Sequence, residues 1–167
     1  MKEVLLYTDG ACKYNPGPGG WGCVLIYKGI EKELFGGVPD TTNNRMEIFA
    51  VIQGLKALKE PCKISIYSDS SYVVNAFKEG WIWSWIKKDW KLSGGSTVKN
   101  VDLWKSLMFE LQKHEYEFIK VKGHADNKYN NRCDELARGE IARLIKTYGE
   151  PKIVEQVKMQ IPQNSNE

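Results

Sequence analysis

The sequence predicts an α/β domain built on a mixed β-sheet flanked by helices. Three strand-like runs joined by short turns open the chain, and strand and helix alternate after them. At 167 residues, 42% hydrophobic and 27% charged, the chain is one ordinary domain with room for a real core.

Residues 3–8 (EVLLYT) read as a short buried strand. The stretch 9–20 (DGACKYNPGPGG), crowded with Gly, Pro and Asn, reads as a loop. Residues 21–28 and 30–37 read as two strands around a tight hairpin at Lys28-Gly29. Met46, Phe49, Ala50, Leu55 and Leu58 recur at near-helical spacing and predict a helix over 44–59, with Asn44 and Glu47 as a capping box. Strand four is 63–68, with Ile64 and Ile66 on one face. Helices follow at 71–78 and 81–90, broken at Gly80. Val101, Trp104, Leu107 and Leu111 mark another helix behind Asn100 as N-cap. Residues 116–121 (YEFIKV) are the fifth strand and 131–146 the last helix. The domain therefore spans 1–146, and 147–167 is a C-terminal tail, partly flexible.

Composition excludes several classes of protein. No apolar run reaches transmembrane length, and the opening MKEVLLYTDG turns polar too soon for a secretory signal, so a cytoplasmic protein is expected. Cys12, Cys23, Cys62 and Cys133 form no CxxC pair and no zinc-ligand spacing, and read as reduced thiols. A formal charge of +3 says little about partners. Its distribution says more: Lys87, Lys88, Lys91, Lys99 and Lys105 stand against only Asp89 and Asp102, a local basic patch or simply a solvated helix face. Monomer is the default expectation.

Four carboxylates stand in distant segments: Asp9, Glu47, Asp69 and Asp134. Each has an ordinary explanation. Asp9 can start a turn, Asp69 can cap a helix, Glu47 can complete a capping box, and Asp134 suits the first turn of the last helix. If the first and fourth strands are parallel neighbours, however, Asp9 and Asp69 lie side by side at their carboxyl ends, where open α/β sheets place ligands. Carboxylates gathered there repel one another unless divalent cations hold them, and phosphoryl-transfer enzymes use such a cage.

Four blocks resemble ribonuclease H type 1, in its bacterial form with a basic protrusion. They are TDGACKYNPGPGGWG at 8–22, TTNNRMEIFAVIQGLKAL at 41–58, SDSSYV at 68–73 and KGHADNKYNNRCDELA at 122–137. The resemblance covers roughly residues 1–145 and implies a ribonuclease H-like fold with a five-stranded sheet. It implies hydrolysis of the RNA strand of an RNA–DNA hybrid by two Mg²⁺ ions, with Mn²⁺ as a candidate substitute. The products are a 5′-phosphate and a 3′-hydroxyl. The implied metal ligands are Asp9, Glu47, Asp69 and Asp134, with Asp9 bridging both ions, and His124 assists proton transfer or product release.

The resemblance also implies how substrate is held. Asn15, Asn43 and Asn44 contact the minor groove, where the 2′-hydroxyl distinguishes RNA. Residues 79–100 look like the basic protrusion, with Trp81 and Trp85 lining a deoxyribose channel and Lys87 and Lys88 adding salt-sensitive attraction. Core packing is the competing explanation for Trp85 and Trp104. Thr42 and Asn100 match positions that bind a DNA phosphate. Two departures stand out: Ser71 where many relatives have Gln, and Asn131 where many have Glu. His114 has no motif around it and is expected at a helix end, where its positive form suits the dipole. Two other readings compete, an integrase-like DNA nuclease of the same fold and a non-catalytic hybrid-binding module. The intact carboxylate set disfavours both.

Overall fold

The structure, a computed structural model, describes residues 1–122 and 127–150. Strands β1 (Lys2–Cys12), β2 (Gly17–Tyr27), β3 (Ile30–Thr41), β4 (Cys62–Ser68) and β5 (Glu115–Lys120) form one sheet in the order β3-β2-β1-β4-β5. β1, β2 and β3 pair antiparallel, whereas β4 runs parallel to β1 and β5 parallel to β4. The mixed five-stranded sheet is therefore as predicted, and β1 is its centre. The helices are α1 (Asn43–Lys56), α2 (Ser71–Lys78), α3 (Trp81–Lys87), α4 (Val101–Leu111) and α5 (Lys128–Tyr148).

Alternation along β1 sets the layers. Val4 and Leu6 join a core with Ile48, Ile52 and Leu55 of α1, Val73 and Val74 of α2, and Trp104, Leu107 and Leu111 of α4. Tyr7 faces the other way, toward Val24, Ile26 and Cys133 of α5. One sheet face thus carries α1–α4 and the other α5. Trp104 is fully buried, and Trp85, half-buried, packs on it with ring centroids 5.6 Å apart, which bears out the packing explanation for both.

The predicted hairpin at Lys28-Gly29 is present, with φ of 48° and 78°, the pair of positive angles a two-residue type I′ turn requires. The predicted loop over 9–20 is not. β1 continues through Asp9 to Cys12 and β2 begins at Gly17, leaving only 13–16 between them. Two of the glycines there serve packing. A Cβ on Gly10 would lie 2.4 Å from the Met46 carbonyl carbon, and one on Gly20 would lie 2.1 Å from the Ala137 oxygen. The chain lacks side chains where α1 and α5 press closest on the two sheet faces.

Helix ends differ from expectation in several places. Thr42 caps α1, its Oγ1 accepting from Arg45 N, so Asn44 and Glu47 form no capping box. Asn100 precedes α4 in the left-handed region, at φ 62°, and makes no side-chain cap bond. α3 ends at Lys87 rather than 90, because Asp89 and Trp90 turn the chain at positive φ and bury the Trp90 ring. α5 begins at Lys128, capped by Asn127, so Asp134 stands in its second turn and not its first. α5 also runs past 146 to Tyr148, and Glu150 just beyond accepts from the Tyr14 hydroxyl at 2.6 Å. The rest of the expected tail, from Pro151, lies outside the described residues.

His114 lies just past the end of α4, as expected, but not in its positive form. Its Nδ1 accepts from the Cys62 backbone N–H at 3.0 Å, which requires the neutral ring, and burial holds its pKa below the usual histidine value. All four cysteines are free. Among the described residues no helix is long and apolar enough to cross a membrane.

Candidate active site

The parallel ladder between β1 and β4 stops at Tyr7 and Tyr67, whose rings stack with centroids 4.4 Å apart. Asp9 and Asp69 each lie two positions beyond that last pair. Asp9 remains paired with Gly22 of β2, so its backbone is held on one side and open on the side where β4 has ended. Glu47 reaches the same point from α1. Its Oε1 accepts from the Gly10 backbone N–H, a bond the missing Gly10 Cβ permits. Asp69 sits in the tight connection from β4 to α2. There Ser70, not Asp69, is the N-cap, its Oγ accepting from Val73 N at 3.2 Å.

The ordinary explanations for these three side chains therefore fail together. Asp9 is within a strand, Glu47 completes no capping box and Asp69 caps nothing. Their carboxylate oxygens instead lie within 4.8 Å of one another. Burial, then the charges of Asp69 and Asp134, push Asp9 up to about 8. Burial, then Asp9 and Asp69, hold Glu47 well above the ordinary carboxyl range. The cluster keeps protons at neutral pH that a cation would displace. Its donors are all carboxylate oxygens, the set that suits a hard divalent ion.

Asp134 is brought near this cluster but not into it. It adds to the charge felt by Asp9, yet its side chain is 44% exposed and its Oδ2 accepts from Arg138 Nε at 2.8 Å. His124 lies outside the described residues. Around the site, Asn15 Oδ1 accepts from Asn43 N at 3.0 Å, tying the 13–16 connection to the start of α1. Asn43 and Asn44 are exposed, as are Ser71, Lys87 and Lys88. Trp81 is 44% exposed, in keeping with a surface position, while Trp85 turns inward. Sequence reasoning passes over Arg45 and Tyr72, which both hydrogen-bond Asn100. Their only signal was a place inside the blocks at 41–58 and 68–73.

The family model described as RNase H matches residues 1–142. The chain belongs to the RNase H family. Ribonuclease H of Thermoanaerobacter sp. (strain X514) is 61% identical over 140 residues, covering 84% of this chain and 90% of the relative. Ribonuclease H of Caldicellulosiruptor saccharolyticus is 57% identical over 144 residues, covering 86% and 99%. The chain is thus an enzyme, a ribonuclease H. Among solved structures, LC9-RNase H1, described as a type 1 RNase H with the type 2 active-site motif, superposes with a TM-score of 0.78 at 27% identity, over 86% of this chain and 74% of that one. LC11-RNase H1, solved with an RNA/DNA hybrid, shares the fold with a TM-score of 0.62 at 21% identity, over 85% and 99%.

Proposed function

We propose that this RNase H hydrolyses the RNA strand of RNA–DNA hybrids at Asp9, Glu47 and Asp69 with two Mg²⁺ ions, leaving a 5′-phosphate and a 3′-hydroxyl. One observation carries the reading: three carboxylates from β1, α1 and the β4–α2 connection converge to within 4.8 Å at the carboxyl edge of the sheet. Divalent ions held by these carboxylates would activate a water for in-line attack and neutralise charge on the departing oxygen. Mn²⁺ suits the same oxygen donors.

The protein's own contribution is placement. Asp9 would be the most firmly placed of the ligands, since the β2 ladder fixes its backbone and burial shields it from water. Glu47 is held by the Gly10 N–H and cannot swing away without losing that bond. Asp134 would join the set by turning from Arg138, an exposed partner on its own helix that costs little to give up. His124 moves a proton or aids product release in this reading.

Asn15, Asn43 and Asn44 take the minor groove of the hybrid, with Ser71 beside them. Thr42 and Asn100 take a DNA phosphate, and Trp81, Lys87 and Lys88 follow the DNA strand, with Trp85 packed inward behind them. The protein works as a cytoplasmic monomer with a domain through the last helix and a short tail. Four free cysteines suit a reducing compartment.

Digestion of labelled hybrid, duplex RNA and duplex DNA, each with and without Mg²⁺, tests this. Mg²⁺-dependent cutting of the RNA strand in the hybrid alone is expected. Cutting of duplex DNA would favour an integrase-like nuclease, and binding without cutting a hybrid-binding module.

A further inference from the structure

We infer that Tyr72 and Arg45 are positioning residues that aim Asn100 at the DNA strand, coupling strand recognition to the two helices beside the carboxylates. The inference rests on the hybrid-hydrolase reading above.

Asn100 sits at φ 62°, a left-handed conformation that asparagine adopts more readily than most residues. Its side chain does not cap α4. Both ends of the amide are instead engaged. Oδ1 accepts from an Arg45 guanidinium nitrogen at 3.3 Å, and Nδ2 donates to the Tyr72 hydroxyl at 2.9 Å. The amide cannot be reversed, because its NH₂ group would then face the guanidinium, which has no acceptor. One Nδ2 hydrogen is spent on Tyr72. No hydrogen bond among the described residues engages the other, and the half-buried amide, held at both ends, keeps it as a donor for a phosphate oxygen.

Both partners are themselves anchored. The Tyr72 hydroxyl also accepts from Nε1 of the fully buried Trp104 at 3.3 Å, and the two rings pack with centroids 5.3 Å apart. Arg45 makes a two-pronged pair with Asp102, at 3.0 and 2.7 Å. That pair neutralises Arg45, so the guanidinium acts as a strut and not as an open anion site. Its backbone N–H donates to Thr42 Oγ1, the other residue assigned to the phosphate. Arg45 is two residues before Glu47 on α1, and Tyr72 three residues after Asp69 on α2. A single hydrogen-bonded chain therefore runs from α1, which carries Glu47, through Asn100 to α2, which follows Asp69.

A double-mutant cycle tests the coupling. Tyr72→Phe removes the hydroxyl and keeps the ring, and Asn100→Ala removes the amide. Each single variant is expected to raise KM for the hybrid about fivefold, in line with one lost hydrogen bond, with kcat within about twofold of wild type. The double variant should be no weaker than Asn100→Ala alone, in KM and in metal-free hybrid binding measured by fluorescence anisotropy. A merely structural Tyr72 would give additive effects, and additivity overturns the inference. If Tyr72→Phe fails to fold, Arg45→Met in the same cycle with Asn100→Ala decides it by the same criterion. Wild-type protein that does not cut hybrid removes the functional reading itself. Wild-type cutting with an additive cycle removes only this inference.

Discussion

Gly10→Ala is the substitution on which the structure makes its sharpest demand. The added Cβ would meet the Met46 carbonyl carbon at 2.4 Å, Glu47 N at 2.5 Å and the Met46 oxygen at 2.6 Å. All three are backbone atoms of α1, so no side chain can move aside. Ordinary contact begins near 3.4 Å, and α1 must retreat from β1 by about 1 Å. Overpacking of this kind costs about 1–3 kcal/mol, which lowers Tm by roughly 2–12 °C in a domain of this size. The same retreat stretches the bond from Gly10 N–H to Glu47 and carries that carboxylate away from Asp9 and Asp69. A misplacement of about 1 Å at reacting groups is enough to lower kcat by about 100-fold. Thermal melts, hybrid cleavage and Mg²⁺ titration by calorimetry measure the three effects on one preparation. Gly94→Ala is the control, because a Cβ there meets nothing within 4 Å. A Gly10→Ala protein with wild-type Tm and kcat would refute the claim that this glycine sets the Glu47 position.

Three further outcomes are expected. In metal-free protein Asp9 titrates near 8 against an ordinary 3.8, so the folded state keeps a proton the unfolded state has lost. Stability from this group is therefore complete below pH 3.8 and is lost as pH rises to about 8. Asp9→Asn should flatten that slope in metal-free melts, keep hybrid binding and abolish cleavage with Mg²⁺; turnover in the variant would contradict the assigned ligand. His114 has the opposite sign. Its folded pKa is depressed, so its contribution is present above 6.5 and is lost as pH falls through the folded value. His114→Ala should cost about 1 kcal/mol at neutral pH by freeing Cys62 N–H, and should remove the acid-side loss in urea titrations at several pH values. Replacing Lys87, Lys88 and Lys91 together with Ala should raise KM and flatten its salt dependence while leaving kcat unchanged. An unaltered KM at low salt would detach these lysines from the substrate.

The elements with strong local signals were legible. The hairpin at Lys28-Gly29 and the apolar period of α1 depend on neighbours in sequence. The glycine-rich stretch misled, because the same residue type serves turns and close packing. Gly10 and Gly20 look like loop residues until α1 and α5 are seen against them. Caps misled similarly. Asn100 and Asn44 are sound N-cap residues by type, but Asn100 is drawn to Arg45 and Tyr72 from helices far away in the chain, and Thr42 reaches Arg45 N first.

By itself, the sequence determined the mixed sheet, the family and three of the gathered carboxylates, through strand order and the blocks around Asp9, Glu47 and Asp69. It also offered a harmless local role for each of them. Only the tertiary structure removed those roles, by running β1 through Asp9 and by giving the caps to Thr42 and Ser70. It also separated Asp134 from the other three, pairing it with Arg138. The physical reason is range. A turn or a helical period is settled over a few residues, whereas the meeting of carboxylates depends on how β4, α1 and α5 close upon β1.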